Sequence, residues 1–166
     1  MSTQNKNLRA LFAQAIYEEM FKNKKIWVLT NDLGYKMWDK IRADFPNRFI
    51  NPGAAEQAIT GIAVGLALEG KIPIVYSITS FLLYRPFETI RNYINQEKLP
   101  VKLVGSGKDK DYFQDGPSHW ATEDKKIMEI LSNIQSVWLE KESQVNLVVK
   151  KMLKSKKPWY LNLRRS

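Results

Sequence analysis

The 166-residue sequence contains no cysteine and one histidine, His119. Without thiols there is no disulfide framework and no thiolate nucleophile, and a single imidazole argues against an all-protein zinc site, so no metal ligands are assigned to this chain. No apolar run approaches the ~20 residues that a membrane helix needs. The polar start, Met1 to Asn7, has no apolar segment of the signal-peptide kind. A cytoplasmic protein with no membrane partner is expected. Acidic residues are also scarce, 17 against 26 basic ones, for a net charge of +9. That surplus attracts anions of any kind and does not choose among them. Lys150, Lys151, Lys154, Lys156 and Lys157 cluster near the C-terminus. No recognition helix or aromatic-and-glycine RNA motif accompanies them, so the cluster reads as a solvated face and no nucleic-acid partner is expected.

A composition 44% hydrophobic and 11% aromatic argues against disorder and for one domain over residues 1–166. Apolar residues at helical spacing predict helices over 8–21, 36–43, 55–68, 85–95, 122–131 and 143–153, the last with Val145, Leu147, Val148, Val149 and Met152 inward. Short apolar runs predict strands at 26–30, 48–51, 71–78, 101–104, 137–139 and 159–163, and 105–118 is the longest irregular segment. Regular alternation implies right-handed crossovers and a three-layer α/β/α fold around a mostly parallel sheet. Ligands in such folds sit at the C-terminal ends of the strands. Residues 31–34, 51–57, 77–84 and 105–119 therefore form the working edge.

The segment 55–68 is apolar and rich in small residues on every face, which predicts burial, yet it begins with Glu56. A carboxylate in the first turn is favoured by the helix dipole alone; if buried, it needs a hydrogen-bond partner or a proton. Gly61 and Gly65 leave a flat helix surface that suits tight packing inside the domain or a subunit contact. Phe81 and Tyr84, three apart after a strand, fit either the core or an aromatic wall for a planar ligand. Loop histidines such as His119 are more often solvated than chemical.

Several segments together carry a family resemblance. They are Gly53-Ala54-Ala55-Glu56-Gln57, Gly61 to Pro73, Phe81, Ile90-Arg91-Asn92, Leu99-Pro100-Val101-Lys102, and Asp115-Gly116-Pro117-Ser118-His119 followed by Glu123-Asp124. In order and spacing this series resembles the pyrimidine-binding domain of the transketolase family of thiamine-diphosphate enzymes, along nearly the whole chain. The resemblance implies the thiamine-diphosphate pyrimidine-binding fold. It makes Glu56 the glutamate that hydrogen-bonds N1′ of the cofactor's aminopyrimidine, favouring the imino tautomer of that ring, which takes the C2 proton. It also implies that Phe81 and Tyr84 line the pyrimidine pocket, with Ile78 where many transketolases have a stacking phenylalanine. Asp32 approaches the cofactor from the loop edge, His119 reaches the donor sugar, and Arg165 meets a substrate phosphate.

Two features depart from the family pattern. Gly107 stands where many relatives have a phosphate-contacting histidine, and the loop 107–114 is unlike the usual glycine-rich form. The sequence also shows no Gly-Asp-Gly motif, through which the family holds Mg²⁺ and the diphosphate, and a chain without the family's third domain is expected. The resemblance therefore implies half of a split enzyme, completed by a separate diphosphate-binding chain that holds Mg²⁺, in an α2β2 assembly. Its expected activity is transfer of a two-carbon ketol unit on a phosphorylated or nucleotide-linked sugar. A noncatalytic transketolase-like binding or regulatory module is the alternative.

Overall fold

A computed structural model describes residues 7–165. The polar segment Met1 to Lys6, on which the reading of the N-terminus rests, and Ser166 lie outside the described residues. Six strands form one sheet: β1 (Ile26–Thr30), β2 (Phe49–Ile50), β3 (Ile72–Ile78), β4 (Lys102–Ser106), β5 (Gln135–Leu139) and β6 (Trp159–Leu163). Their order is β2-β1-β3-β4-β6-β5, and every neighbouring pair is parallel. The helices are α1 (Leu8–Lys22), α2 (Asp39–Asp44), α3 (Glu56–Leu68), α4 (Thr79–Tyr84), α5 (Phe87–Thr89), α6 (Asp124–Ile130) and α7 (Val145–Lys154).

Strand residues alternate between two cores, as the period of two demands when both faces are covered. Ile26, Val28, Ile74, Tyr76, Val104 and Leu161 pack with Phe12 and Ile16 of α1 and with Val149 and Met152 of α7. Leu29, Val75, Leu103 and Tyr160 pack on the other side with Ile59 and Ala63 of α3 and Met128 of α6. Pro73 is tolerated in this central sheet because β4 joins β3 only from Ile74 onward.

Several boundaries differ from expectation, each for a local reason. Helix α2 begins at Asp39 rather than near residue 36 because the preceding turn carries positive φ at Gly34 (+81°) and Lys36 (+63°). A Cβ at Gly34 would lie 2.7 Å from the Trp38 ring, which packs under that turn. The expected helix 85–95 is instead two pieces, α5 and a π-helical turn, Ile90–Gln96, and a further helix not expected from the sequence, α4, precedes them directly at the end of β3. Pro86, lacking an N–H, interrupts the ladder between α4 and α5. Strand β4 runs on through Gly105 and Ser106, expected to be irregular, because Gly105 lets Thr79 of α4 pack against its backbone. Leu147 points outward, 58% exposed, instead of joining the inner face of α7.

The largest correction concerns α3. Glu56, Ile59, Thr60, Ala63, Val64 and Ala67 are buried, but Ala58, Gly61, Ile62, Gly65 and Leu68 form an exposed stripe, with Leu68 at 68%. A Cβ added at Gly61 or Gly65 would meet nothing within 4 Å. Packing inside this chain therefore does not explain the two glycines.

Candidate functional site

At the C-terminal edge of the sheet, Asn51 ties two loops together. Its Oδ1 accepts from the backbone N–H of Asp32, 3.1 Å away, and of Gly53, 3.0 Å away. Asp32 itself has φ +28°, a backbone region that aspartate tolerates better than most residues.

Helix α3 begins at Glu56, whose side chain is 4% exposed. Its Oε2 accepts a hydrogen bond from Nη1 of Arg85 at 2.7 Å. The same guanidinium lies 3.8 Å over the centre of the Phe81 ring. Phe81 in turn meets the His119 imidazole in a T-shaped contact, with centroids 4.7 Å apart. Nδ1 of His119 lies 3.0 Å from Oγ of Ser118, and Oγ of Ser80 donates to the Ser118 carbonyl at 2.7 Å. Three of the sequence-predicted residues, Glu56, Phe81 and His119, thus share one contiguous cluster. The residue that joins them, Arg85, was not among those predicted. Its signal is the spacing of Phe81 and Arg85, four apart, which faces them together once helix α4 is known to start at Thr79.

The remaining predicted residues stand around this cluster. Ile78 ends β3 and is half-buried, so it reaches the edge with an aliphatic rather than an aromatic surface. Tyr84 turns its hydroxyl to Oε2 of Glu123, 2.8 Å away. Burial first, and then the Glu123 carboxylate, push the phenol up to about 12. The Thr122 hydroxyl and then Tyr84 hold the Glu123 carboxyl below its ordinary value. Asp32 joins none of these side-chain contacts among the described residues. It lines a separate cavity of about 180 Å³ with Thr30, Trp38, Arg42 and Asn51. Arg165 lies 4.4 Å over the Tyr112 ring and 3.6 Å from Oδ2 of Asp115, and among the described residues it reaches the cluster through the Tyr112–His119 contact at 6.1 Å.

Two further groups shape the edge; of their residues Asp124 belongs to the family series quoted from the sequence, but no role was expected for any of them. Asp124, 4% exposed, accepts on Oδ2 from Trp138 Nε1 (2.6 Å), Tyr160 OH (2.8 Å) and Asn162 Nδ2 (3.2 Å). Asn162 Nδ2 also lies within hydrogen-bond range of Thr79 Oγ1 (3.1 Å) and the Gly107 carbonyl (3.0 Å). The signal was one asparagine in an otherwise apolar strand, Trp159-Tyr160-Leu161-Asn162-Leu163. Secondly, Asn31 and Ser77 are buried with side-chain polar atoms unpartnered among the described residues. They follow the paired residues Thr30 and Tyr76 on adjacent strands, on the sheet face that α3 covers.

Gly107 has a geometric cause of its own. Its φ is +91°, and a Cβ there would collide with the Tyr112 ring, whose hydroxyl bonds Ser106 Oγ at 2.8 Å. A histidine at this position is incompatible with the loop as folded. Among the described residues no three His, Asp or Glu side chains converge to hold a metal, and no helix is long and apolar enough to cross a membrane.

Comparison with known proteins gives a consistent set of likenesses. The family described as "Transketolase, pyrimidine binding domain" matches residues 4–166. A putative transketolase C-terminal section of Methanocaldococcus jannaschii is 32% identical over 161 residues, covering 96% of this chain and 51% of that protein. One of the subunits of the apulose-4-phosphate transketolase of Actinobacillus succinogenes is 34% identical over 92 residues, 55% of this chain and 30% of that one. Among solved structures, one described as a split gene transketolase, inactive beta4 tetramer, superposes with a TM-score of 0.84 at 36% identity, covering 96% of this chain and 51% of that chain. The chain thus spans about half or less of the length of these relatives.

Proposed function

Because this chain belongs to the transketolase pyrimidine-binding domain family, we propose that it is the pyrimidine-binding subunit of a split, thiamine-diphosphate-dependent, transketolase-like transferase. In this reading residues 1–166 form one cytoplasmic unit that moves a two-carbon ketol group on a sugar substrate only when joined to a second chain. The observation that carries the proposal is the Glu56–Phe81 pair. A buried carboxylate and an aromatic face already grip a flat N–H donor between them, the Arg85 guanidinium. An aminopyrimidine asks for the same two surfaces, one hydrogen-bonding and one stacking, so the residues present fit the group.

Thiamine diphosphate, when bound, supplies the nucleophilic carbon that carries the two-carbon unit. Glu56 holds a proton at the ring nitrogen it faces, and its burial strengthens that bond relative to one in water. Phe81 and Ile78 present the stacking and aliphatic walls, Tyr84 closes the rim through Glu123, and Asp32 approaches from the neighbouring loop. His119, anchored by Ser118 and by the Phe81 edge, faces the donor sugar. Arg165 serves a substrate anion, for which it must exchange its present partner Asp115. The proposed substrates are anionic sugars, phosphorylated or nucleotide-linked, and relatives named for apulose-4-phosphate and 6-deoxy-6-sulfo-D-fructose support the anionic class.

The diphosphate and Mg²⁺ are assigned to the partner chain, in an α2β2 assembly, in keeping with relatives named as subunits or sections of transketolases. The exposed stripe of α3 is the surface offered to that partner. Co-expression with a candidate diphosphate-binding chain tests the proposal directly. The complex is expected to bind thiamine diphosphate and turn over a ketose donor, with Glu56→Ala lowering turnover by roughly 10²–10³-fold. Cofactor binding with undiminished turnover in Glu56→Ala would refute the role of Glu56. A complex that binds sugar and never turns over would favour a noncatalytic module.

A further inference from the structure

Arg85 holds two surfaces that a flat ligand would need at once. Its guanidinium is planar and delocalised, donates to Oε2 of Glu56 at 2.7 Å, and stacks 3.8 Å over Phe81. The Phe81 ring is also met by the His119 imidazole at 4.7 Å, so two planar groups already contact it. A cofactor ring that stacks on Phe81 and bonds Glu56 competes directly with the guanidinium.

The two partners of the ion pair differ sharply in freedom. Glu56 is 4% exposed and fixed in the first turn of a 13-residue helix, whereas the Arg85 side chain is 46% exposed and follows the last residue of α4. A buried carboxylate left without a partner is costly, so the ligand-free site is stabilised by a donor there, a cation above all. An arginine on the rim meets that need and gives up one ion pair and one ring contact when it swings into solvent.

We propose that Arg85 is a built-in occupant of the pyrimidine site: its guanidinium holds the place between Glu56 and Phe81 and is displaced when the cofactor ring enters. This inference rests on the pyrimidine-binding reading above. It gives the subunit a polar, stable site in the absence of cofactor, and it lowers apparent cofactor affinity by the fraction of molecules in which the site is open.

The test titrates the full chain with the hydroxymethyl derivative of the cofactor's aminopyrimidine, by calorimetry and by NMR of the arginine side-chain N–H signals. If the closed form makes up nine-tenths of the population, Arg85→Ala binds the pyrimidine about tenfold more tightly than wild type, and Arg85→Gln more tightly than wild type by a smaller factor. The wild-type Arg85 signal, shifted by the Phe81 ring in the free chain, moves to its solvent position on saturation. Arg85→Gln retains a neutral donor to Glu56 and guards against loss of folding in Arg85→Ala, with thermal melting as the check. Equal or weaker binding by folded variants overturns the inference alone, because Arg85 would then support the ring instead of excluding it. No binding by wild type or either variant overturns both the inference and the pyrimidine-binding reading.

Discussion

At the end of the sheet opposite Glu56, Lys102 opens β4 completely buried. Its Nζ donates to the carbonyls of Ser155 (2.8 Å) and Lys157 (2.7 Å), just past the C-terminal end of α7. Burial pushes this ammonium down from 10.5 to about 8. Between those values the unfolded chain still holds a proton that the folded chain has released, so stability rises as pH rises through about 8 to 10.5. The neutral amine keeps two N–H donors, enough for both carbonyls. Over that window the gain from this one group is up to ~3 kcal/mol. Urea unfolding at pH 7.5 and pH 10 is expected to show the rise in wild type and a flattened response in Lys102→Met. Equal slopes in the two proteins would remove Lys102 as its cause.

Residues of this kind explain what was legible at the scale of single side chains. Glu56, Phe81 and His119 carry a family pattern and fall together in space as the working edge requires. Arg85 carries none, because an arginine before a proline reads as the start of a helix and its true place is the end of one. Asp32 and Arg165 match the pattern in sequence, yet their present contacts lead elsewhere, to Asn51 and to Asp115.

Among the elements, β6 does more than close the sheet. Through Asn162 it touches the start of α4 at Thr79, the start of the long loop at Gly107, and the start of α6 at Asp124. Those three points frame the segment that delivers His119 to Phe81. Asn162→Leu leaves Asp124 with two of its three donors and the Gly107 carbonyl with only Thr79, a loss of about 2–4 kcal/mol for a buried network. The expected signature is a lowered unfolding midpoint together with faster proteolysis within 107–123. Intact loop protection in a destabilised Asn162→Leu would show that the network serves the core and not the loop. The strands 26–30 and 159–163 were readable to the residue because each is a short, mostly apolar run between polar or proline flanks. The start of α4 was hidden because Thr79-Ser80 has no helical signature, and the end of β4 because glycine ordinarily marks a turn.

For the molecule as a whole, the helix expected to be buried on all sides is buried on one. Apolar periodicity cannot say which chain covers a face, and the stripe Ala58, Gly61, Ile62, Gly65 and Leu68 is covered by nothing among the described residues of this one. Two helix-interior glycines that touch nothing are a loss in the isolated chain, where alanine would be more favourable by about 1 kcal/mol each. They make sense where another backbone comes close, whether that of a diphosphate-binding partner or of another copy of this chain. Gly65→Ala is therefore expected to raise the melting temperature of the chain alone. Gly65→Phe is expected to leave circular dichroism unchanged while breaking assembly. Sedimentation of the chain without a partner reads the difference: wild type self-associates through the uncovered stripe as concentration rises, and Gly65→Phe stays a folded monomer. If both variants assemble as wild type does, the α3 stripe is not the contact, and the route from Glu56 to the other half of the site must run through another face.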